Sequence, residues 1–279
     1  MQNLTLDWQS AGGAAVALFG AAYAAKRAHR PSAASTAAVL REAGTLLALF
    51  ALWQLVGHLS VMSADHALDR AAWIHRTELT LGFPDEAAWQ QAVLPYPWVV
   101  AASNYYYATV HFAAMIALLA WVFLRHREWY GWVRNTVVLT TAACLVIQFI
   151  PIAPPRMLAG SGFVDVAAQY GQSVYGGAVG GVVPDQLSAM PSVHVAWCSI
   201  VAVTVVKVAR GPWRWLVVLH PLITVFVVVV TANHFWADGL VAVALLLVAY
   251  LVQYAFSGWR PEQQQSAETP EPERTSVGS

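Results

Sequence analysis

Six stretches of this chain are long, apolar and poor in charged side chains, and this pattern limits what the chain can fold into. They are Ala43–Met62, Trp98–Leu124, Trp132–Ile150, Val193–Val208, Trp213–Thr231 and Phe235–Phe256. Each approaches the roughly 17–25 residues that a helix needs to cross the hydrocarbon core of a membrane. Because a backbone inside lipid must satisfy its own hydrogen bonds, such stretches predict spanning helices. The predicted fold class is an all-α, polytopic transmembrane bundle with a six-helix core.

The composition agrees with a membrane protein and excludes several other classes. Of the 279 residues, 58% are hydrophobic and 11% are charged, whereas soluble domains average about 45–50% and about 25%. The net charge of +0 gives no electrostatic footprint for nucleic acid, and no protein partner is evident. Cys144 and Cys198 both lie in apolar stretches, so neither a disulfide framework nor a cysteine metal site is indicated.

The segments outside the core predict two further helical regions. Residues 1–37 contain a short Ala- and Gly-rich stretch, Ala11–Ala25, which either spans the membrane or lies in its interface; we favour a span. The segment Ser63–Pro97 mixes apolar and charged residues, and Pro84 followed by Asp85 is typical of a new helix start. We therefore expect an extra N-terminal helix and a helical hairpin on the outer face.

The remaining boundaries follow from composition. We expect residues 38–257 to form the membrane-embedded core. The tail, residues 258–279, is rich in Pro, Glu and Gln and is predicted to be disordered and cytoplasmic.

Positively charged residues predict the orientation of the helices. Cytoplasmic loops carry an excess of Lys and Arg. With the N-terminus outside, the outer segments hold only Arg70, Arg76 and Arg156 of the 15 Lys and Arg residues. This orientation places the long segments 63–97 and 151–190 on the extracytoplasmic side.

Three separate parts of the chain bring reactive side chains to the outer membrane level. Arg156 follows the span that ends at Ile150, Ser192 and His194 begin the next span, and His234 with Asp238 begins the last one. Taken singly, each of these residues has a structural explanation. Arg156 fits an interfacial arginine, Ser192 and His194 fit a helix start, and His234 with Asp238 fits a structural pair. Their convergence favours a single functional site.

The residue types in this set suit phosphoryl transfer. Such a reaction needs a nucleophile, a proton donor for the leaving oxygen and neutralisation of negative charge. His234 and Asp238 are four residues apart and share a helix face, so the carboxylate can fix the tautomer of the imidazole. Ser192 and nearby backbone N–H groups would form an anion site at a helix start, and Arg156 can bind two phosphate oxygens.

The sequence around these residues resembles the type 2 phosphatidic acid phosphatase (lipid phosphate phosphatase) superfamily, whose motifs read K-x6-R-P, P-S-G-H and S-R-x5-H-x3-D. The second motif appears as PSVH ending at His194, the third keeps the spacing of His234 and Asp238, and the first keeps Arg156. The positions that depart from these motifs are Phe149, Met157, Val193 and Val228. Two of the family's three phosphate-binding cations are therefore missing. This smaller set resembles the branch that contains inositol phosphorylceramide synthases and bacterial relatives.

The resemblance implies a mechanism and a substrate class. His234 would attack phosphorus to form a phosphohistidine, and His194 would protonate the leaving alcohol and then activate water or an acceptor hydroxyl. No metal or other cofactor is expected. The substrate would be a lipid phosphate or a lipid phosphodiester, in the plasma membrane of a bacterium. A site with fewer cations suits a singly charged diester, so a headgroup phosphotransferase is favoured, with a lipid phosphate monoester phosphatase as the alternative.

Other residues are candidates to replace the missing cations. They are Tyr106, Tyr107, His111, Arg70 and Arg76, all in the outer segments or the outer half of a span. Aromatic packing is the alternative explanation for the tyrosines. Two other functions remain open: a haem-binding electron carrier, which needs facing histidines, and a transporter, which would show broken helices and internal symmetry.

Overall fold

Helices form the regular structure of the protein, which a computed structural model describes over residues 7–28, 33–61, 65–171 and 187–257. In chain order they are α1 (Trp8–Arg27), α2 (Ala33–Val61), α3 (Ala67–Thr80), α4 (Glu86–Val93), α5 (Pro97–Arg125), α6 (Arg127–Gln148), α7 (Val166–Gln169), α8 (Val193–Val208), α9 (Leu219–Val230) and α10 (Trp236–Ser257). Two 3-10 segments, Pro155–Met157 and Pro212–Val218, precede α7 and α9. The predicted all-α fold class is confirmed.

Five helical segments in the described part of the chain are long and apolar enough to cross a membrane. They are the first 24 residues of α2, then α5, α6, α10 and the 3-10 segment continued by α9. The sixth core helix, α8, is apolar but has only 16 residues. The protein is thus an integral membrane protein with the expected six-helix core, in which one member is short.

The N-terminal helix α1 packs along α2. Gly44 makes this close approach possible, because a Cβ atom at that position would lie 3.0 Å from the ring of Phe19. α1 has 20 residues but is not among the segments apolar enough to count as spans. That α1 crosses the membrane therefore stays a prediction. Residues 29–32 and the predicted disordered tail after Ser257 lie outside the described residues.

The outer hairpin is present as α3 and α4. The side chain of Asp85 caps α4 by accepting a hydrogen bond from the N–H of Ala87 at 2.9 Å, as expected for a helix that starts after Pro84. The hairpin docks on the start of α10, where the indole of Trp236 donates to the carbonyl of Pro84 at 2.8 Å. The hairpin therefore supports the helix that carries Asp238.

Helix α8 lies in the interior of the bundle and contacts α5, α6, α9 and α10. Its residue Ile200 is fully buried, together with Val122 of α5 and Val133 of α6. Because lipid is as apolar as these side chains, dense packing and interhelical hydrogen bonds hold such a bundle together. One such bond joins the indole of Trp197 to the hydroxyl of Thr141 at 3.0 Å. This packing places the start of α8 at the end of the helix bundle where α3 and α4 lie.

Candidate active site

Backbone hydrogen bonds fasten the three outer segments to one another. The N–H of Ile152 donates to the carbonyl of Leu187 at 2.8 Å, and the N–H of Ala189 donates to the carbonyl of Ile152 at 3.1 Å. The N–H of Ser192 donates to the carbonyl of Asp238 at 3.1 Å. The expected convergence of these segments at one level is therefore seen in the described residues.

His234 is held in a single orientation through one ring nitrogen. Its Nδ1 lies 2.7 Å from the carbonyl oxygen of Ala189 and 3.2 Å from Oδ2 of Asp238. A carbonyl oxygen only accepts hydrogen bonds, so Nδ1 carries the proton and Nε2 carries the lone pair. Nε2 is buried and has no hydrogen-bond partner among the described residues. In the neutral imidazole, Nε2 is therefore the nitrogen that carries the free lone pair.

Asp238 is fully buried and orients both His234 and the start of α10. Its Oδ2 accepts a hydrogen bond from the N–H of Phe235 at 2.9 Å and faces His234 Nδ1. A buried carboxylate needs such partners, since removing it from water without them costs several kcal/mol. The side chain thus links the turn before α10 to the imidazole.

His194 is held by aromatic rings. The ring of Tyr107 stacks on it with centroids 4.2 Å apart and planes inclined by 20°, and the ring of His111 lies 3.9 Å away. The centroids of His194 and His234 are 5.5 Å apart. His194 Nδ1 has no hydrogen-bond partner among the described residues. The two histidines therefore face a common space, His194 from the first turn of α8 and His234 from the turn before α10.

Arg156 reaches the same space from the 3-10 segment. Its Nη1 donates a short hydrogen bond to Oδ1 of Asn233, and its Nε lies 3.5 Å from Oδ2 of Asp165. Its backbone N–H donates to the carbonyl of Ala232 at 3.0 Å. Ala232 has a φ of 52°, a region that non-glycine residues adopt rarely and that often marks functional turns. These contacts fix the guanidinium beside the turn that carries His234.

Ser192 caps α8 and lies away from the shared space. Its Oγ accepts a hydrogen bond from the N–H of Val195 at 3.3 Å, and the side chain is fully buried. Its own N–H is used by Asp238. Ser192 is absent from the cavity wall described below, whereas its neighbours Val193 and His194 belong to it.

A cavity of about 370 Å³ joins these groups to the apolar interior. Its polar end contains Arg156, Asn233, His194 and His234. Its walls are mainly apolar side chains of α2, α5 and α6, among them Leu46, Leu49, Phe50, Ile116, Leu119 and Leu145. The cavity therefore combines a small polar end with a long apolar part.

The structure divides the other candidate residues into two groups. Tyr107 and His111 line the cavity. Tyr106, Arg70 and Arg76 do not belong to its wall. The hydroxyl of Tyr106 lies 2.5 Å from Nδ1 of His220. The guanidinium of Arg70 donates to the carbonyl of Pro151 at 2.7 Å, and Arg76 is exposed.

Several residues of the site were not predicted from the sequence. Asn233, Ser188 and Gln148 line the polar part of the cavity. Asn233 could have been noticed as the neighbour of His234, but its contact with Arg156 depends on the fold. Glu78 and Glu86 support the start of α10. Burial, followed by the influence of the neighbouring Glu86, raises the pKa of Glu78 to about 9.

Comparison with known proteins identifies the family. The profile of the PAP2 superfamily matches residues 72–252, which is well over half of the chain. The chain belongs to the PAP2 superfamily. The match covers α4 to α9 and most of α3 and α10, and includes every residue of the polar end. No curated protein and no solved structure matches the chain.

Membership in the PAP2 superfamily assigns the protein to membrane phosphatases and phosphotransferases. It confirms the superfamily inferred from the PSVH and H-x3-D motifs. It also favours phosphoryl transfer over the haem-binding and transporter alternatives. The narrower branch, the lipid and the direction of transfer are not fixed by this match.

Proposed function

We propose that the protein transfers the phosphate-containing headgroup of a membrane lipid through a phosphohistidine formed on His234. The donor is a lipid phosphodiester, and the acceptor is a second hydroxyl compound. The observation that carries the proposal is the cavity, whose polar end holds the two histidines and Arg156 and whose walls are apolar.

The shape of the cavity supports a lipid substrate. Leu46 of α2 and the α5 residues Phe112 and Ile116 line the cavity, and each is also more than one-third exposed, Ile116 to 68%. Faces of this kind on a membrane helix meet lipid. A substrate could then enter sideways from the bilayer between α2 and α5, with its acyl chain in the apolar part and its phosphate at the polar end.

The geometry of His234 supports its role as nucleophile. Its Nδ1 proton is held by Ala189 and Asp238, so the Nε2 lone pair is available to attack phosphorus. In the first step, the bond between Nε2 and phosphorus forms and the bond from phosphorus to the leaving lipid oxygen breaks. Asp238 stabilises the positive charge that develops on the ring.

His194 is the proposed acid and base. It gives a proton to the leaving oxygen in the first step and takes a proton from the acceptor hydroxyl in the second. The acceptor oxygen then bonds to phosphorus while the bond to Nε2 breaks, and both histidines return to their starting states. The ring of Tyr107 stacks on His194 and orients it. Nδ1 of His194 has no hydrogen-bond partner among the described residues.

Arg156 is the proposed main cationic contact of the phosphate. It is the one Lys or Arg on the described wall of the cavity. The N–H groups of Val193 and His194, in the first turn of α8, are further donors of the kind that bind anions at helix starts. Because a diester carries one negative charge and a monoester up to two, this single arginine favours the diester. Ser192, whose Oγ caps α8, would position these N–H donors.

The decisive experiment compares donors and acceptors. Purified protein in lipid nanodiscs would be incubated with long-chain lipid phosphodiesters or phosphomonoesters, with and without alcohol acceptors, and the products identified by mass spectrometry. We expect a new headgroup ester from the diester only when an acceptor is present. Release of inorganic phosphate from the monoester at a higher rate would instead assign a phosphatase.

We also propose that the site faces the outside of a bacterial plasma membrane. The positive-inside distribution of Lys and Arg supports this orientation. The exposed loop residue Ala159 lies near the site, and the native Cys144 and Cys198 are buried. In Ala159→Cys, an impermeant thiol reagent should label intact cells. Labelling only after the cells are broken would reverse the orientation.

A further inference from the structure

A second cluster of polar side chains lies in the outer hairpin, next to the start of α10. It contains His75 and Glu78 of α3 and Glu86 of α4. One ligand atom from each residue can be chosen so that all three lie within 4.8 Å of one another. His75 and Glu78 are three residues apart on one helix, a spacing that directs both side chains to the same face.

Each carboxylate in the cluster uses one oxygen to cap α10. Oε1 of Glu78 accepts a hydrogen bond from the N–H of Ala237 at 2.6 Å, and Oε1 of Glu86 accepts one from the N–H of Trp236 at 3.3 Å. The other two oxygens, both Oε2, are buried and have no hydrogen-bond partner among the described residues. Nδ1 of His75 is also buried and has no hydrogen-bond partner among the described residues.

The cluster also lacks a compensating cation within the described ranges. Glu78 is 4% exposed and Glu86 is fully buried. Among the described ion pairs, Glu86 has only His75, with Nδ1 and Oε2 3.5 Å apart, and Glu78 has none. Two buried acids that lie close together, each with an oxygen that has no hydrogen-bond partner among the described residues, are costly unless a proton or a metal cation lies between them.

We propose that His75 Nδ1, Glu78 Oε2 and Glu86 Oε2 bind a divalent transition-metal ion, with Zn²⁺ as the best match. Mixed imidazole and carboxylate ligands suit zinc. With bonds of about 2.0–2.1 Å in a tetrahedral site, two ligand atoms lie roughly 3.3 Å apart, close to the 3.5 Å between His75 and Glu86. Three protein ligands leave one position for water.

The proposed metal has a structural role. It would clamp α3 to α4 while the opposite oxygens of its ligands hold the first N–H groups of α10. The ring of His75 also lies near Phe163 and Phe235, at centroid distances of 5.3 and 6.3 Å. Phe235 directly follows His234, so the site would stabilise the turn that carries the nucleophile. No step of the phosphoryl transfer passes through the metal.

The test measures zinc bound to the purified full-length protein. After equilibration with Zn²⁺ and removal of excess metal, elemental analysis should give one zinc per chain, and Zn²⁺ should raise the thermal unfolding midpoint. His75→Ala and Glu78→Gln should each lose both effects. The glutamine keeps an oxygen for the N–H of Ala237, so helix capping is retained. The matched control is His66→Ala, which removes an exposed histidine that pairs with Asp69 at the start of α3.

The outcomes separate a built site from the alternatives. Retained zinc in the wild type and in His66→Ala, with loss in both cluster variants, supports the proposal. No stoichiometric zinc in the wild type overturns it, as does equal zinc in all four proteins. If the cluster variants fail to fold, the wild-type protein alone tests the proposal. A chelator should then lower its thermal unfolding midpoint, and added Zn²⁺ should restore it; an unchanged midpoint overturns the proposal.

Discussion

The two histidines of the candidate site are held in different ways. His234 is fixed by hydrogen bonds to Ala189 and Asp238 at one nitrogen, whereas His194 is held by the rings of Tyr107 and His111. A nucleophile needs one tautomer throughout, and a hydrogen bond supplies it. An acid that later becomes a base must change its protonation state, and stacking permits this change.

This comparison assigns the chemical roles from geometry. The proton on Nδ1 of His234 follows from its carbonyl partner, which supports the proposal that Nε2 is the nucleophile. His194 has no equivalent constraint among the described residues.

The largest effect should come from removing the nucleophile. His234→Ala deletes the atom that bonds to phosphorus, so turnover should fall below detection, whichever donor is used. The protein should still fold, because the backbone N–H of His234 keeps its bond to the carbonyl of Val228. Steady-state rates with a lipid donor and an aryl phosphate test this, and residual turnover with either donor would contradict the role.

Replacement of the acid should have a smaller effect that depends on the donor. His194→Asn should slow transfer from lipid donors about 1,000-fold, within the range for general acid–base catalysis. An aryl phosphodiester has a good leaving group that needs no proton, so its first step should stay fast and the phosphoenzyme should accumulate. The rate of the first step, measured as the burst of leaving group, separates the two donors. An equal loss in that rate with both would mean that His194 does not protonate the leaving oxygen.

Removing the carboxylate should have a moderate effect. Asp238→Asn loses the negative charge that stabilises the imidazolium, while Ala189 continues to accept the Nδ1 proton. We expect a loss of about 100-fold in kcat, smaller than in triads where the carboxylate alone fixes the tautomer. The kcat and the thermal unfolding midpoint of Asp238→Asn are measured together. A large shift of the midpoint with an unchanged kcat would mean that Asp238 is a structural residue.

The smallest effect should come from the ring that stacks on His194. Tyr107→Leu removes the stack and should lower kcat about 10-fold, because His194 then samples other orientations. Tyr107→Phe keeps the ring and should retain most of the rate. If both variants lose the same amount, the hydroxyl of Tyr107 matters and the stacking explanation is wrong.

Most of the fold was predictable from hydropathy, and much of the site from topology. Spanning helices must be apolar over their length, so the ends of the predicted spans differ from the helices by a few residues in most cases. α2 is an exception, since it begins at Ala33 and not near Ala43. Residues 33–42 contain Arg41 and Glu42, which hydropathy excludes, but Glu42 pairs with Arg134 at 2.6 Å.

The parts that could not be predicted depend on helix rotation and tertiary contacts. Tyr106 and Tyr107 are adjacent in the sequence, yet one contacts His220 and the other His194, because successive residues on a helix point about 100° apart. Likewise, Ser192 was predicted to bind phosphate, but the structure places it in the cap of α8, away from the cavity wall. Its role at the phosphate thus remains a prediction without a contact to support it.

The most direct test of the central claim is to locate the covalent intermediate. His194→Asn would be mixed with an aryl phosphodiester, quenched in base, which preserves phosphohistidine, and analysed by peptide mass spectrometry. We predict that His234 carries the phosphoryl group transferred from the donor. The His194→Asn, His234→Ala double variant should carry no such adduct. An adduct on any other residue, or transfer without an adduct, would contradict the mechanism.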